Sequence, residues 1–388
     1  MKRILIFSLA YAPKVGGAEI AIQNITERIS DIQFELITHR FSREHLPQEK
    51  MGNVLVHRVG EGGGYFGKIL FIPRAALLAL RLHRASPFDG MWAMMSYMLL
   101  PVVIMRFLNV RIPYLLTLQE GDTYDHMFGR LRVLPLLPIL ALGFRNATVV
   151  QSISQYLGRW ARSRGYQGDV IVVPNGCDFF SFEKRGISDR EVFWRSYGFS
   201  PKFVAITTSR LVHKNAIDVI VQALSSLDPS MHLVVVGGGP ERHNLETLVR
   251  AKKLSDRVHF LGEIENNKLP DFLHQSDVFI RPSRSEGMGI SFIEAMAAGL
   301  PVIATQEGGI ADFLFDEQRN PDQETTGWAV DVDAPEQISA AVRDILSRPQ
   351  KVQNVVDNAK KMVREKYDWD IIARVMRKNV FGKLFREV

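Results

Sequence analysis

Cysteine is nearly missing from this sequence, with Cys177 standing alone among 388 residues. One thiol excludes a disulfide framework and any zinc site built on cysteine clusters. It also makes a reducing compartment, the cytoplasm, the expected home. Ten histidines are present but never as an H-E-x-x-H pair, which removes the helical zinc-hydrolase pattern. The longest apolar stretch, 91–118, is broken by Arg106, Asn109, Arg111 and two prolines, so it is a poor bilayer span. Low-complexity tracts and solenoid repeats are also lacking. What remains is an ordinary globular composition, 46% hydrophobic and 23% charged, in a chain long enough to bury a core unaided.

The charge is uneven. Residues 1–200 hold 24 Lys and Arg against 16 Asp and Glu, whereas the rest hold 24 against 26, for +6 overall. A basic half predicts an anionic partner: a membrane surface, a phosphorylated substrate or nucleic acid. Nucleic acid is disfavoured, because no recognition motif or aromatic-basic platform accompanies the charge. Lys2 and Arg3 before the apolar run 4–12 have the look of a signal peptide. The glycines and helix-like segment that follow favour a buried strand instead.

Short apolar runs alternate with helical patterns along most of the chain. ILIFSLAY at 4–11, FELITH at 34–39, NVLVHRV at 53–59, YLLTLQ at 114–119, ATVVQS at 147–152 and DVIVVP at 169–174 read as strands. A charged, aromatic segment at 188–201 interrupts the series, and FVAITTS at 203–209 restarts it. HLVVVG, RVHFLG, DVFIRP, PVIAT and GWAVDV continue it to 332. Strands alternating with helices imply parallel sheets covered on both faces. Two successive series imply two Rossmann-like α/β domains in tandem, with ligands expected at the carboxyl ends of the strands.

The most informative motif begins at Ser285 and runs SEGMGISFIEAMAAG. It follows a strand, opens with glycines and enters a helix, so backbone amides and a helix N-terminus face an incoming anion. Glu286 and Glu294 lie eight residues apart. Carboxylates do not favour a phosphate, so sugar hydroxyls are their expected partners. That combination suits a nucleotide sugar. Arg210 and Lys214, after FVAITTS, add two cations able to neutralise a leaving diphosphate without a metal.

Together with Gly16-Gly17-Ala18-Glu19, the Val173-Pro-Asn-Gly-Cys-Asp178 segment, Val236-Gly-Gly-Gly-Pro240 and Phe260-Leu-Gly262, these motifs carry a resemblance over nearly the whole chain. The sequence resembles the retaining GT-B glycosyltransferases of family 4. The resemblance implies two Rossmann-like domains facing across a cleft: an acceptor-binding domain at 1–184 and a donor-binding domain at 185–368. A C-terminal helix, 369–388, would pack back on the first. It implies that Glu294 binds the ribose, Glu286 the transferred sugar, and Arg210 and Lys214 the diphosphate. The amides of Gly287, Met288 and Gly289 would help hold sugar and phosphates, the backbone near Ile264 would meet the base, and Gly16 and Gly17 would close over the donor. Retention would follow a front-face route in which the leaving diphosphate deprotonates the acceptor, with a nucleotide-diphosphate sugar as donor, no cofactor and no metal. One departure stands out: Gln119, in Gln119-Glu120-Gly121-Asp122, occupies a place where many members carry a histidine. An amide can hydrogen-bond a sugar but is neither acid nor base near neutral pH. Glu120 or Asp122 would serve the acceptor or cap the next segment.

Other signals are weaker. Gly62 to Ile69 almost reads as a phosphate-binding loop, but Ile69 replaces the required Ser or Thr. Asp331-Val-Asp333 and Asp368-Trp-Asp370 match a short, common metal pattern. Arg74, Arg81 and Arg84 among leucines, and FGRLRVLPLLPILALGF at 128–144, fit either core helices or peripheral contact with anionic lipid. The expected function is hexose transfer to a glycan or lipid-linked acceptor. A nucleotide-sugar epimerase of the same fold and a non-catalytic nucleotide-sugar-binding scaffold are the alternatives.

Overall fold

The computed structural model describes residues 1–13, 16–62, 64–131, 133–183 and 189–386. The chain divides into two compact units, 1–175 with 369–388 and 176–368. The sequence-derived boundary at 184/185 lies outside the described residues, and the structure assigns 176–183 to the second unit. The physical reason is burial there. Phe179 and Phe182 are buried in a short helix that packs against the helix following the 285–289 loop.

The strands of the first unit are β1 (Lys2–Phe7), β2 (Ile32–His39), β3 (Gln48–Met51), β4 (Val54–Val59), β5 (Gly90–Met94), β6 (Tyr114–Leu118), β7 (Val149–Ser152) and β8 (Val170–Val172). They form one sheet in the order β3-β4-β2-β1-β5-β6-β7-β8. All pairs are parallel except β3 with β4. The helices are α1 (Gly17–Glu27), α2 (Tyr65–Ala85), α3 (Leu99–Phe107), α4 (Tyr124–Phe128), α5 (Leu137–Arg145) and α6 (Gln155–Ser163). Central strands are apolar on both faces: Ile4 to Phe7 and Met91 to Ala93 are fully buried. That is the pattern of a parallel sheet covered on both sides. Strand β5 was hidden inside the long apolar stretch, and β3, polar and at the edge, had no sequence signal.

The second unit holds β9 (Phe203–Thr208), β10 (Met231–Val236), β11 (Val258–Gly262), β12 (Val278–Arg281), β13 (Val302–Ala304) and β14 (Trp328–Ala329). Their order is β11-β10-β9-β12-β13-β14, all parallel. Helices α7 (Phe179–Glu183), α8 (Arg190–Ser196), α9 (Ile217–Leu224), α10 (Arg242–Ala251), α11 (Leu269–His274), α12 (Ile290–Ala297), α13 (Pro335–Ser347) and α14 (Pro349–Lys366) accompany it. The aromatic segment that interrupted the pattern is core here. Trp194 is fully buried and donates from its indole nitrogen to the Gln275 carbonyl at 2.9 Å, with Phe193, Phe199 and Phe272 around it.

The C-terminal segment belongs to the first unit. Helix α15 (Trp369–Val375) continues through a π-helical turn, Met376–Phe381, into α16 (Gly382–Phe385). Trp369, Ile372, Met376, Val380 and Leu384 recur at helical spacing and are buried. Phe381 meets Trp92 and Phe34 at centroid distances of 5.4 and 5.9 Å. Arg28–Asp370 and Arg377–Asp31 ion pairs, both at 2.7 Å, fasten its edges to α1 and to the turn before β2.

Candidate active site

In the second unit, strand order reverses between β9 and β12, and the loops leaving these two neighbours carry the sequence-derived residues. A parallel sheet opens a crevice at that reversal, because its two connections turn to opposite faces. Arg210, just past β9, is exposed, and Lys214, in the turn His213–Asn215, is half-buried. The β9 loop is held from below. The Ser209 and Leu211 amides donate to Val236 and Gly238 at 3.0 and 2.9 Å, and the buried Asn215 amide side chain donates to the Arg210 carbonyl at 2.7 Å. Gly237 and Gly239 make this packing possible, since a Cβ there would lie 2.0 Å from the Ser209 carbonyl and 2.4 Å from that of Leu211.

The β12 loop is built around two arginines that the sequence reading missed. Arg284 donates its backbone amide to the Lys214 carbonyl at 2.7 Å, and its guanidinium reaches the His213 carbonyl at 2.6 Å. The same side chain binds Asp218 at 2.6 Å and Asp333 at 2.7 Å. It therefore ties the loop carrying the two cations to the loop carrying Glu286. Asp333 is consumed by that contact and Asp331 by Arg319 at 2.9 Å, which gives the D-x-D pattern at 331–333 a structural role.

Arg281, the last residue of β12, is buried. Its Nε donates to Ser283 at 3.1 Å, one terminal nitrogen to Ser291 at 2.6 Å, and the other to the Glu286 carboxylate. The guanidinium also sits 4.6 Å from the Phe292 ring centroid. Burial pulls Arg281 down to about 10, against the opposing field of Glu294. Glu294, in α12, is buried; that burial pushes its carboxyl up to about 7, and Arg281 works in the other direction. Glu286 also accepts the Gly287 amide at 3.0 Å. Gly287 and Met288 are buried; Gly289 caps α12 at φ +87, where a Cβ would stand 2.5 Å from the Phe292 ring. From the next strand, the Gly309 amide donates to the Glu286 carbonyl at 3.0 Å. Ile264 follows β11 and is half-buried.

Cys177 is packed rather than reactive. Its amide donates to the Tyr367 carbonyl at 2.8 Å, and burial, then nearby Glu294, Asp368 and Asp178, push its thiol up.

The first unit carries the remaining positions. Gly16 is the N-cap of α1 and Gly17 its first residue, while residues 14 and 15 before them lie outside the described residues. The near-P-loop at 62–69 also runs through an undescribed position, 63. Gln119 leaves β6 and pairs with Asn175, donating at 2.9 Å and accepting at 3.4 Å. Glu120 is fully buried and accepts the Ser96 amide at 2.6 Å, and burial raises its carboxyl. It therefore braces the β5 loop, where Met95 sits at φ 72. Asp122 is half-exposed, 3.8 Å from His126, and Thr123 caps α4. Among the described residues no cluster of three or more His, Cys, Asp or Glu could hold a metal ion.

Three comparisons bear on this geometry. The family model described as "Glycosyl transferases group 1" matches residues 189–362. The chain is 29% identical over 246 residues to the GDP-mannose-dependent alpha-(1-6)-phosphatidylinositol monomannoside mannosyltransferase of Mycolicibacterium smegmatis; the match covers 60% of this chain and 61% of that protein. Sucrose-phosphate synthase from Thermosynechococcus elongatus shares the fold at a TM-score of 0.85, with 19% identity over 100% of both chains. HepE of Anabaena, solved with UDP and glucose, does so at 0.80, with 20% identity over 98% of this chain and 100% of its own.

Proposed function

Since the chain belongs to the glycosyl transferases group 1 through residues 189–362 and has the GT-B fold, we propose that it transfers a hexose, with retention, from a nucleotide-diphosphate sugar to a lipid-linked or glycan acceptor. The observation that carries this reading is the Arg284 bridge. It fastens the loop bearing Arg210 and Lys214 to the loop bearing Glu286, so a pair of cations and a pair of carboxylates flank one strand reversal. Cations beside an amide-lined helix start suit a diphosphate. Carboxylates suit hydroxyl groups.

In this reading Glu294 accepts hydrogen bonds from the ribose and Glu286 from the transferred sugar. Gly287, Met288 and Gly289 supply amides, and the backbone at Ile264 meets the base. Gly16, Gly17 and Gln119 contribute from the first unit. The bond between the anomeric carbon and the diphosphate breaks as the acceptor oxygen bonds the same face. The acceptor's proton passes to a diphosphate oxygen, and Arg210 and Lys214 stabilise the charge that develops there. No metal is required for that neutralisation. A lipid-linked acceptor is favoured by a relative whose name specifies a phosphatidylinositol mannoside. An apolar and basic face on α2, described below, agrees with it, and contact with anionic membrane belongs to the same proposal.

The test is a thermal-shift panel of UDP, GDP, ADP and TDP with their sugar conjugates, with and without a chelator, on the wild-type chain and Glu294→Ala. Saturation at 100 times Kd adds about 2.7 kcal/mol, a shift of a few degrees at this size. One nucleotide should raise the midpoint with chelator present, and Glu294→Ala should lose the effect. A cooperatively melting protein that responds to no diphosphate overturns the donor reading, and a product of inverted anomeric configuration overturns retention.

A further inference from the structure

The first unit contains a polar cavity at the opposite ends of its strands from Gly16 and Gln119. It measures about 370 Å3 and is lined by Lys2, Asp89, Arg106, Arg111, Thr148 and Arg386, with Ile112–Pro113 and the end of α16. Lys2 opens β1, Asp89 precedes β5, Pro113 precedes β6 and Thr148 precedes β7, and these four strands are neighbours in the sheet. Helix α16 closes one side: Lys2 lies 5.6 Å from the Phe385 ring centroid, and Leu384 packs against Gly90.

The charge in this cavity is unbalanced. Four cations line it with one carboxylate, and that carboxylate pairs with one of the four, Lys2, which leaves three arginines. Asp89 accepts Lys2 Nζ at 3.0 Å and the Arg3 amide at 2.8 Å. Burial pushes its carboxyl up, but those two donors and the chain's first amino group hold it below the usual range. Arg106 faces a ring instead of an acid, 5.7 Å from the Tyr114 centroid. Arg111 and Arg386 have no carboxylate partner among the described residues. Arg111 and Arg386 are exposed, so solvent screens their repulsion, but an anion entering the cavity meets three guanidinium groups that have no acid beside them among the described residues.

We propose that this cavity binds the phosphate group of a phosphomonoester or phosphodiester, separately from the transfer reaction. Guanidinium forks match the paired oxygens of a phosphate better than they match a chloride-sized ion. The volume also exceeds one phosphate, which leaves room for the group it esterifies. Two sources offer that chemistry: a soluble phosphorylated metabolite and a phospholipid headgroup. Phe107 and Leu108, exposed immediately after Arg106, give the headgroup an apolar neighbour.

The test titrates sn-glycerol 3-phosphate calorimetrically into the full chain, the Arg111→Ala/Arg386→Ala variant, Arg111→Lys, and Arg210→Ala. Loss of charge-assisted bonds predicts an affinity at least tenfold lower in the double variant. Arg111→Lys should recover part of it, and Arg210→Ala should match wild type. Coincident melting curves establish that the variants are folded. Equal affinity in the double variant, no binding in the millimolar range, or loss in Arg210→Ala instead would overturn the proposal, the last by moving the anion to the donor loops. Cosedimentation with phosphatidylglycerol against phosphatidylcholine vesicles separates the sources. Vesicle binding that falls in the double variant along with glycerol phosphate binding assigns the headgroup; vesicle binding that is unchanged while glycerol phosphate binding falls assigns the soluble ester.

Discussion

Glu294 and Arg281 share one buried pocket, and their opposed shifts describe what each requires of the other. A carboxyl near 7 is half ionised at neutral pH, and the adjacent guanidinium keeps it from rising further. The folded chain holds this proton up to about pH 7, whereas the unfolded chain releases it near the ordinary value of 4.5. The contribution to stability is therefore complete below pH 4.5 and is lost as the pH rises through 7. A shift of this size corresponds to about 3 kcal/mol. Chemical denaturation of wild type and Glu294→Gln from pH 5 to 8 should show wild type losing on the order of 2 kcal/mol or more relative to the variant, which has no such proton. Donor affinity should move the opposite way, rising in wild type as Glu294 ionises and accepts hydroxyl bonds more strongly. A pH-independent difference between the two proteins would remove the shifted carboxyl. The two glutamates were legible in the sequence because glycines and a helix start frame them. Arg281 and Arg284 were not, because an arginine closing an apolar run has no periodicity to betray it, and its partners at 218, 286, 291 and 333 come together only on folding.

Loops, at the scale of elements, do the placing. Gly308 follows β13 at φ +63, and a Cβ there would stand 2.0 Å from the Glu286 carbonyl. The close approach lets the next amide, Gly309, hydrogen-bond that carbonyl and fix the loop of the neighbouring strand. Gly198 also has positive φ, +90, but a Cβ there would meet nothing within 4 Å. Both alanine variants carry the left-handed backbone cost of about 1 kcal/mol, and only Gly308→Ala adds displacement of Glu286. Calorimetry should therefore show Gly308→Ala melting lower than Gly198→Ala and binding the donor nucleotide at least tenfold more weakly, with Gly198→Ala binding normally. Equal donor affinity in the two would mean that the Gly308 contact does not position the site. The strand alternation itself was readable, since buried parallel strands are continuous apolar runs. β3 escaped because QEKM is polar and gains its place from edge pairing with β4. β5 escaped because its run merges with α3.

Charge and apolar exposure give the whole chain a polarity that neither half of the sequence shows clearly. The first unit, with its C-terminal segment, holds 25 Lys and Arg against 14 Asp and Glu, a net +11; the second holds 23 against 28, a net −5. Most of α2's outward face belongs to the same pattern. Phe66, Leu70, Arg74, Leu77 and Arg81 fall three or four residues apart and are exposed, so they share one stripe. α2 packs on α3 and α3 on α5, whose Ile139 and Leu142 are also exposed. No described helix is long and apolar enough to cross a membrane. In the membrane contact proposed above, this stripe would lie on the bilayer, its cations meeting anionic headgroups and its apolar side chains entering the acyl boundary. Removing Phe66, Leu70 and Leu77 together as serines takes away three insertable side chains worth about 1.5 kcal/mol or more each when fully buried. Cosedimentation of that triple variant with phosphatidylglycerol vesicles should fall at least tenfold, while turnover of a short-chain, water-soluble acceptor stays at the wild-type rate. Raising salt to about 1 M shortens the screening length to about 3 Å, and should weaken wild-type binding without abolishing it, because the apolar part is insensitive to screening. If the serines leave vesicle binding intact while salt alone abolishes it, attraction is purely electrostatic and the α2 stripe does not enter the bilayer.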